Sequence, residues 1–563
     1  ATQEGKIILR ILPSESQSLP AAVSQGGKRM IVLDLRKKPE GLDQQRIQAA
    51  LDEVREQPGS TVIIPPGIYT LTSPRARQTM QEAINGKYGE NPEIEMFRPD
   101  YPFTVGLSFS GHRGTRIEAY GVTLMVDGFM EPISLDHCQN VTLLGLTIDH
   151  VRKPFSRGLI ERYELVDPAT STGSLTVRFD DRFPVDEHTI MPRYCAYDFH
   201  THRFQLDMKM TSREYLGHQR FRIQMTHMPA ESLEGQEFYI WHSFHFRPAI
   251  LMEEASGLTL RDVTLHSQPG MGIVGHHCEN ILLERLRVVP SHGEHMSTNT
   301  DATHFVSCKG NLIFRDCTFK GHGDDATNVH TFYHDIRLLG GNAIEGRVSV
   351  KTHSLKPDYP DPGDEMQLVD KQTLLPLGTY QVLSVQRDET CYTAVLNAPL
   401  PYEAPTQCYL ANLTRSPAVI FENCTAENHW ARSVLLKCRS AVIQNCLFRG
   451  SVLQAIHVAA ESRWHEGIAC ENITIRRNRF VDCGITGHSP TGGIKVEMST
   501  DIPTGTPQKH VLIENNLFDL PEVQYAISVS NAEDVILRGN TYLHCNSEPV
   551  EIRQCLLVQN EDF

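Results

Sequence analysis

The chain has 563 residues, a formal net charge of −15 and 21% charged residues. An acidic surface of this kind argues against nucleic acid or anionic lipid as the partner, and no run of about 18 apolar residues exists to cross a membrane as a helix. The first residue is Ala rather than Met, which predicts a processed N-terminus and an exported protein, secreted or held in the periplasm or at the cell surface with its signal peptide removed.

In chain order, Ile47, Ala50, Leu51 and Val54 fall on one face of a helix that Asp43 is placed to cap. The apolar strand Thr61 to Tyr69, interrupted by Pro65-Pro66-Gly67, follows directly. A helix, a turn and then such a strand predict the N-terminal cap of a right-handed parallel β-helix, with the helix covering the first open coil. Residues 74–104 are polar and irregular and predict a loop excursion. Short aliphatic strands then recur, among them Val141-Thr-Leu143, Leu258-Thr-Leu260, Ile281-Leu-Leu283, Val419-Ile420, Val442-Ile443, Val511-Leu-Ile513 and Val535-Ile-Leu537. The steps from Leu258 to Ile281 and from Val419 to Val442 are 23 residues, and that from Val511 to Val535 is 24. Such a repeat marks a solenoid.

The repeat is lost in two stretches, which instead alternate with period two, as in Ser174 to Phe179 and Tyr380 to Val385. Alternation bounded by Gly, Pro and Asp predicts antiparallel strands. The expected fold is therefore all-β, a right-handed parallel β-helix with two inserted β-barrel-like domains. Its expected parts are the cap and first coils (1–151), the first insertion (152–247), coils carrying the acids (248–332), the second insertion (333–415) and the C-terminal coils (416–563). Fourteen cysteines recur at repeat positions without a CxxC pair, which predicts free stacked thiols rather than zinc. No metal or cofactor is called for.

The chemistry concentrates between Asn299 and His330. Asn299-Thr300-Asp301 is followed by Gly321-His322-Gly323-Asp324-Asp325, and Asp301 precedes Asp325 by 24 positions. Residues one coil apart in a parallel sheet stand about 4.8 Å apart, so the three carboxylates should share one patch. So close together they cannot all ionise freely, and at least one should keep its proton near neutral pH. A protonated acid beside a charged base is the equipment of a glycosidase. Strand alternation places Asp324 outward with Ala326 and Asn328, which makes Asp324 the expected general acid and leaves Asp301 and Asp325 to share the base role.

Outward positions of neighbouring coils add candidate sugar ligands. His304, Asn328, His457, Lys495 and Ser528 line one column, and Trp430 and Arg432 lie on an intervening coil at the level of the acids. An aromatic face with a guanidinium suits a sugar subsite. His292, Glu294 and His295 lack a strict metal spacing and are read as loop-wall residues.

Asn299-Thr300-Asp301 and Gly323-Asp324-Asp325 resemble the two acidic motifs of the polygalacturonase-like β-helix glycosidases. With the helical cap, the two interruptions and Gly-His-Gly-Asp-Asp, nearly the whole chain resembles glycoside hydrolase family 110, the β-helical exo-α-1,3-galactosidases that include enzymes acting on the blood group B antigen. The resemblance implies inversion of configuration, with the catalytic carboxylates carried onto Asp301, Asp324 and Asp325. The polygalacturonases' Arg-Ile-Lys is here Gly493-Ile494-Lys495, which removes a bidentate carboxylate clamp and favours a neutral hexose. The expected partner is a carbohydrate with a terminal α-galactoside, and a homodimer is compatible with the sequence. The alternatives are another β-helix glycan-active enzyme, such as a polygalacturonase or a polysaccharide lyase, and a non-catalytic glycan-binding spike or adhesin.

Overall fold

The computed structural model describes residues 23–25, 28–32, 43–98, 100–198, 201, 203–205, 207–349, 355–485 and 489–562. Its helix Asp43–Arg55 buries Ile47, Ala50, Leu51 and Val54, the predicted stripe, and all four join the main hydrophobic core. Asp43 lies inside the first turn rather than ahead of it. Residues 74–104 are not a plain loop. The Ser73 hydroxyl accepts from the Ala76 N–H at 3.0 Å and Pro74 opens a helix, Pro74–Ile84, a favoured start because proline lacks the amide the first turn leaves unbonded. Its buried stripe is only Ala76, Thr79, Ala83 and Ile84, too small and polar to stand out as a periodic signal. Among the described residues no helix is long and apolar enough to cross a membrane.

From Lys28–Val32 onward, the two insertions apart, the chain winds through parallel strands stacked coil on coil. Leu258 pairs with Ile281 and Val511 with Val535, as the repeat requires. Val419 pairs with Ala441 rather than Val442, so that coil is one residue shorter than the aliphatic spacing implies. Inward residues stack in ladders: the rings of Phe448, Phe480 and Phe518 follow one another at 5.2 and 4.7 Å. The cysteines are all free, and Cys317, Cys424 and Cys446 lie buried on successive coils, where a thiol packs as a small hydrophobe.

The two insertions differ in form. The first is a seven-stranded antiparallel sheet running Arg203–Gln205, Arg193–Asp198, Glu237–Trp241, Phe155–Asp167, Thr172–Phe179, Arg220–Thr226, Lys209–Gly217. Among the described residues its outer strands do not pair with each other, so it is a sheet rather than a barrel. The second closes into a barrel of six strands: Thr327–Gly340, Ala343–Arg347, Tyr392–Leu396, Pro376–Arg387, Glu365–Asp370 and Cys408–Asn412, the last pairing back onto the first. The first of these strands serves both bodies. Its start pairs parallel with Val434–Leu436 in the β-helix and its end is a barrel stave, so the expected boundary after residue 332 falls within a strand.

Asp358 ties the barrel to the coils. His276 and His277 donate from Nε2 to its Oδ1 at 3.1 and 2.6 Å, while His334 Nε2 and the Ser307 hydroxyl donate to Oδ2, both at 2.9 Å. Burial alone would raise this carboxyl, but His277 and the other imidazole donors more than offset it and hold Asp358 well below the usual carboxylate range.

Candidate active site

The site sits where the coil bearing Asp301 meets the coil bearing Asp324 and Asp325. His304 pairs with Asn328 across adjacent strands, a step of 24 residues that sets Asp301 one coil from Asp325. The approach is closer than side chains at the turn would permit. A Cβ on Gly323 would stand 2.1 Å from the Asn299 carbonyl oxygen, and one on Gly321, at φ +68°, 2.2 Å from that of His295. The Gly-His-Gly turn thus lets the backbone pack against the first acidic motif and the loop that leads into it. Asn299 anchors the first motif by donating from Nδ2 to the Ser243 and Pro154 carbonyls at 2.6 and 3.2 Å, near the two ends of the first insertion.

One oxygen from each of Asp301, Asp324 and Asp325 lies within 4.8 Å of the others. That is shorter than the gap of about 6.5–9.5 Å associated with inverting glycosidases, and close to the roughly 5–5.5 Å of retaining ones. The three environments are unequal. Asp301 and Asp325 are buried, whereas Asp324 is partly open. Asp325 accepts from Arg432 Nε at 2.8 Å, Nη2 at 2.9 Å and the Arg432 backbone N–H at 2.8 Å. Asp301 Oδ2 lies 2.6 Å from His304 Nδ1, and its Oδ1 meets the Asp325 N–H at 3.4 Å. Burial and then the Asp325 charge push the Asp301 carboxyl up to about 8. Burial, Asp301 and Asp325 together hold Asp324 well above the usual range. A trio of carboxylates is a conceivable cation site, but the guanidinium of Arg432 already supplies the positive charge at Asp325.

Alternation does not reach Asp324. The strand begins at Thr327, and Ala326 belongs to the hydrophobic core. Asp324 is partly open because it occupies the turn, with its carbonyl accepting from His322 Nδ1 at 2.8 Å.

The column of outward residues is present but interrupted. Asn328 pairs with Leu435, Leu435 with His457, His457 with Lys495 and Lys495 with Ser528, so a buried leucine divides the first two polar members from the rest. Asn328 Nδ2 donates to Glu466 at 3.1 Å. His457 Nε2 and Lys495 Nζ both reach Glu497, at 3.1 and 2.8 Å. Trp430 is engaged by protein. Its ring meets Trp241 edge-on at 4.3 Å and Phe204 at 5.8 Å, which docks the first insertion onto the coil. Of the loop-wall residues, Glu294 is ion-paired with Arg157 and Arg182 at 3.2 Å each, and His295 stacks on Tyr197 at 4.7 Å.

Sequence reasoning missed the second line of the site. His330, Lys437 and Glu497 stand two residues after Asn328, Leu435 and Lys495 and share their face, so the same alternation could have found them. Glu461 and Glu466 pair across a short antiparallel bridge that no periodicity announces. Lys437 is fully buried between them, with Nζ 2.7 Å from Glu461 and 2.5 Å from Glu466. His304 Nε2 lies 2.9 Å from His330 Nε2, and His330 Nε2 lies 3.7 Å from Glu466. A polar band therefore runs from Asp301 through the two imidazoles to Glu466, Lys437 and Glu461, and Glu461 ends 4.0 Å from Arg432, the partner of Asp325.

No family model matches the chain. Among solved structures, the A-module of the mannuronan C-5 epimerase of Azotobacter vinelandii aligns over 90% of this chain and 92% of its own, with a TM-score of 0.36 and 10% identity. Among curated proteins, α-1,3-galactosidase B of Akkermansia muciniphila is 24% identical over 92% of this chain and 67% of its own length. With α-1,3-galactosidase A of Bacteroides fragilis the identity is 26%, over 97% of this chain and 92% of that protein, so the chain is similar to a curated α-1,3-galactosidase almost from end to end.

Proposed function

We propose that this chain is an exo-acting glycosidase that releases terminal α-1,3-linked galactose with inversion. The observation that carries the reading is three clustered carboxylates in unequal environments, on a chain similar throughout to α-1,3-galactosidases. Asp324, partly open and with its proton tightly held, is suited to protonate a leaving oxygen. Asp301 and Asp325 face one another across one coil step and are suited to orient a water. The short carboxyl spacing alone would favour retention. The environments favour inversion instead, because both Asp325 oxygens are engaged by Arg432 and Asp301 Oδ2 by His304, which leaves Asp301 Oδ1 as the loosely held oxygen of the pair, suited to take a proton from water.

A neutral sugar fits the wall. A Cβ at Gly493 would meet the Ala526 carbonyl oxygen at 2.4 Å, which excludes an arginine clamp for a uronate there. Arg432 is spent on Asp325, which argues against its serving as a lyase base. The insertions flanking the acids support a closed pocket and exo action, with His304, Asn328, Arg432, His457 and Lys495 on its walls or just behind them. Branched blood-group-B-type and linear α-galactosides are the two substrates to compare. The same reading makes this an exported enzyme, so activity should partition outside the cytoplasm.

A proton NMR time course on a terminal α-1,3-galactoside tests the reading. It expects β-galactose as the first product and no internal oligosaccharide from a polymer. Initial α-galactose would overturn inversion, and glycan binding without any release would make the protein a lectin-like spike.

A further inference from the structure

His304 and His330 are buried in line behind Asp301, His304 touching Asp301 and His330 touching His304. With both rings neutral, their hydrogen bonds set where the protons are. The Thr331 carbonyl can only accept, so His330 Nδ1, 3.0 Å away, must carry a hydrogen. In a neutral ring His330 Nε2 is then an acceptor, and its contact at 2.9 Å makes His304 Nε2 the donor. Neutral His304 in turn offers a lone pair at Nδ1, and the 2.6 Å contact with Asp301 Oδ2 is satisfied only if Asp301 supplies the hydrogen.

We propose that Asp301, His304 and His330 act as one hydrogen-bonded chain that keeps Asp301 protonated at rest and carries a proton inward, toward Glu466, when water attacks. The same three protons could be arranged as a carboxylate and an imidazolium, and the surroundings decide against it. Both rings are buried, and burial brings His304 and His330 down to about 4 even though Glu466 acts to raise both. Asp325 also favours a charge on His304, while Lys437 and His245 oppose it. Asp301 is pushed the other way, up to about 8. Both Asp325 oxygens accept from Arg432, so the water-binding pair shares one negative charge and Asp325 carries it.

The second half of the proposal rests on the glycosidase reading; the resting proton positions do not. As the water oxygen bonds to the anomeric carbon, the glycosidic bond breaks and its oxygen takes the proton of Asp324. The water's proton goes to Asp301 Oδ1, whose contacts at 3.4 Å are weak. The hydrogen on Oδ2 moves to His304 Nδ1, and that on His304 Nε2 moves to His330 Nε2. The products are galactose, the free alcohol, an Asp324 carboxylate and a His330 imidazolium facing Glu466, which Lys437 and His330 hold well below the usual carboxylate range despite burial. His304 and His330 are positioning residues that act through Asp301.

Neutron diffraction from the resting protein near neutral pH tests the proton positions directly. It should show deuterium on Asp301 Oδ2, on His304 Nε2 alone and on His330 Nδ1 alone, and the same ring pattern in Asp301→Asn, whose amide also donates. Deuterium on both nitrogens of either ring in the wild type would overturn the resting state. Kinetics test the relay. His304→Gln should lower kcat by about 10²-fold or more, the scale of acid–base assistance, with KM within a fewfold. If the neutron map is as expected but His304→Gln leaves kcat intact, the relay is wrong. If the map is as expected and no α-galactoside is cleaved, the functional reading fails alone.

Discussion

Arg432 closes on Asp325 with both arms of its guanidinium, Nε to Oδ1 at 2.8 Å and Nη2 to Oδ2 at 2.9 Å. The pair bridges two coils that are 107 residues apart in sequence, with the whole second insertion between them. Burial disfavours the charge on Arg432, but Asp325 and Glu461 more than offset it and raise its proton affinity. Removing one partner of a buried pair leaves the other uncompensated, at a cost of about 3–5 kcal/mol. Arg432→Met should therefore lose stability of that order in denaturant unfolding and lose nearly all turnover. Arg432→Lys keeps a charge but not the fork; it should recover part of the stability and little of kcat. Wild-type turnover in Arg432→Met would show that the ion pair is structural only.

Asp301 should make the fold less stable as pH rises. An unfolded Asp loses its proton near pH 4, whereas the folded carboxyl is pushed up to about 8. Between those values the native state binds more protons than the unfolded one, so stability falls with rising pH. The contribution is fully present below about pH 4 and is lost as pH climbs through about 8. At about 1.4 kcal/mol per pH unit, roughly 5 kcal/mol is the ceiling. Asp301→Asn, which cannot ionise, should match the wild type at pH 4 and exceed its stability by a few kcal/mol at pH 8. Urea unfolding at pH 4, 6 and 8 reads the difference, and a gap that does not widen with pH would refute the raised proton affinity.

Much of the scaffold is visible in single residues. Ile47, Ala50, Leu51 and Val54 announce the cap because an amphipathic helix over a solenoid end has one buried face. The 24-residue interval between Asp301 and Asp325 announces the site because parallel register converts a sequence period into contact. Nonlocal placement is harder to see. Leu435 breaks the polar column on the coil that returns only after the second insertion, and Glu466 reaches His330 across a two-residue bridge. Asp324 faces outward for a different reason from the one alternation offers: a turn has no period two, and alternation counted back from Asn328 fails at Ala326.

The barrel should loosen from the β-helix in acid. His277 donates to Asp358 at 2.6 Å and, mainly through burial, is brought down to about 4. An unfolded His takes up a proton near pH 6.5, so the stability of the neutral buried ring is present above that pH and is lost as pH falls toward 4. This slope is opposite in sign to that of Asp301. His277→Gln should flatten the pH dependence of unfolding between 6.5 and 4. Asp358→Asn turns an amide donor toward imidazole donors and should cost about 1–3 kcal/mol even at pH 7. Hydrogen exchange in Glu365–Asp370 and Cys408–Asn412 should rise first in either variant if Asp358 is what holds the barrel. Uniform change across the coils would refute the clasp.

The acid and base roles separate by leaving group. Asp324 is the partly open member of the trio, and its proton is held by burial and by two neighbouring carboxylates, which suits an acid that must remain protonated until the glycosidic oxygen arrives. An aryl galactoside with a good leaving group needs little protonation, so Asp324→Asn should retain measurable turnover on it while losing natural substrates. Asp325→Asn weakens the grip of Arg432 and removes the charge that orients water, and Asp301→Asn removes the group that takes the water's proton. Neither should be rescued by the aryl substrate. Azide can replace the water, and under inversion it should give β-galactosyl azide only when Asp301 or Asp325 is the residue changed. If the aryl substrate instead rescues Asp301→Asn or Asp325→Asn and not Asp324→Asn, the acid lies on the opposite side of the cluster and Asp324 is the base.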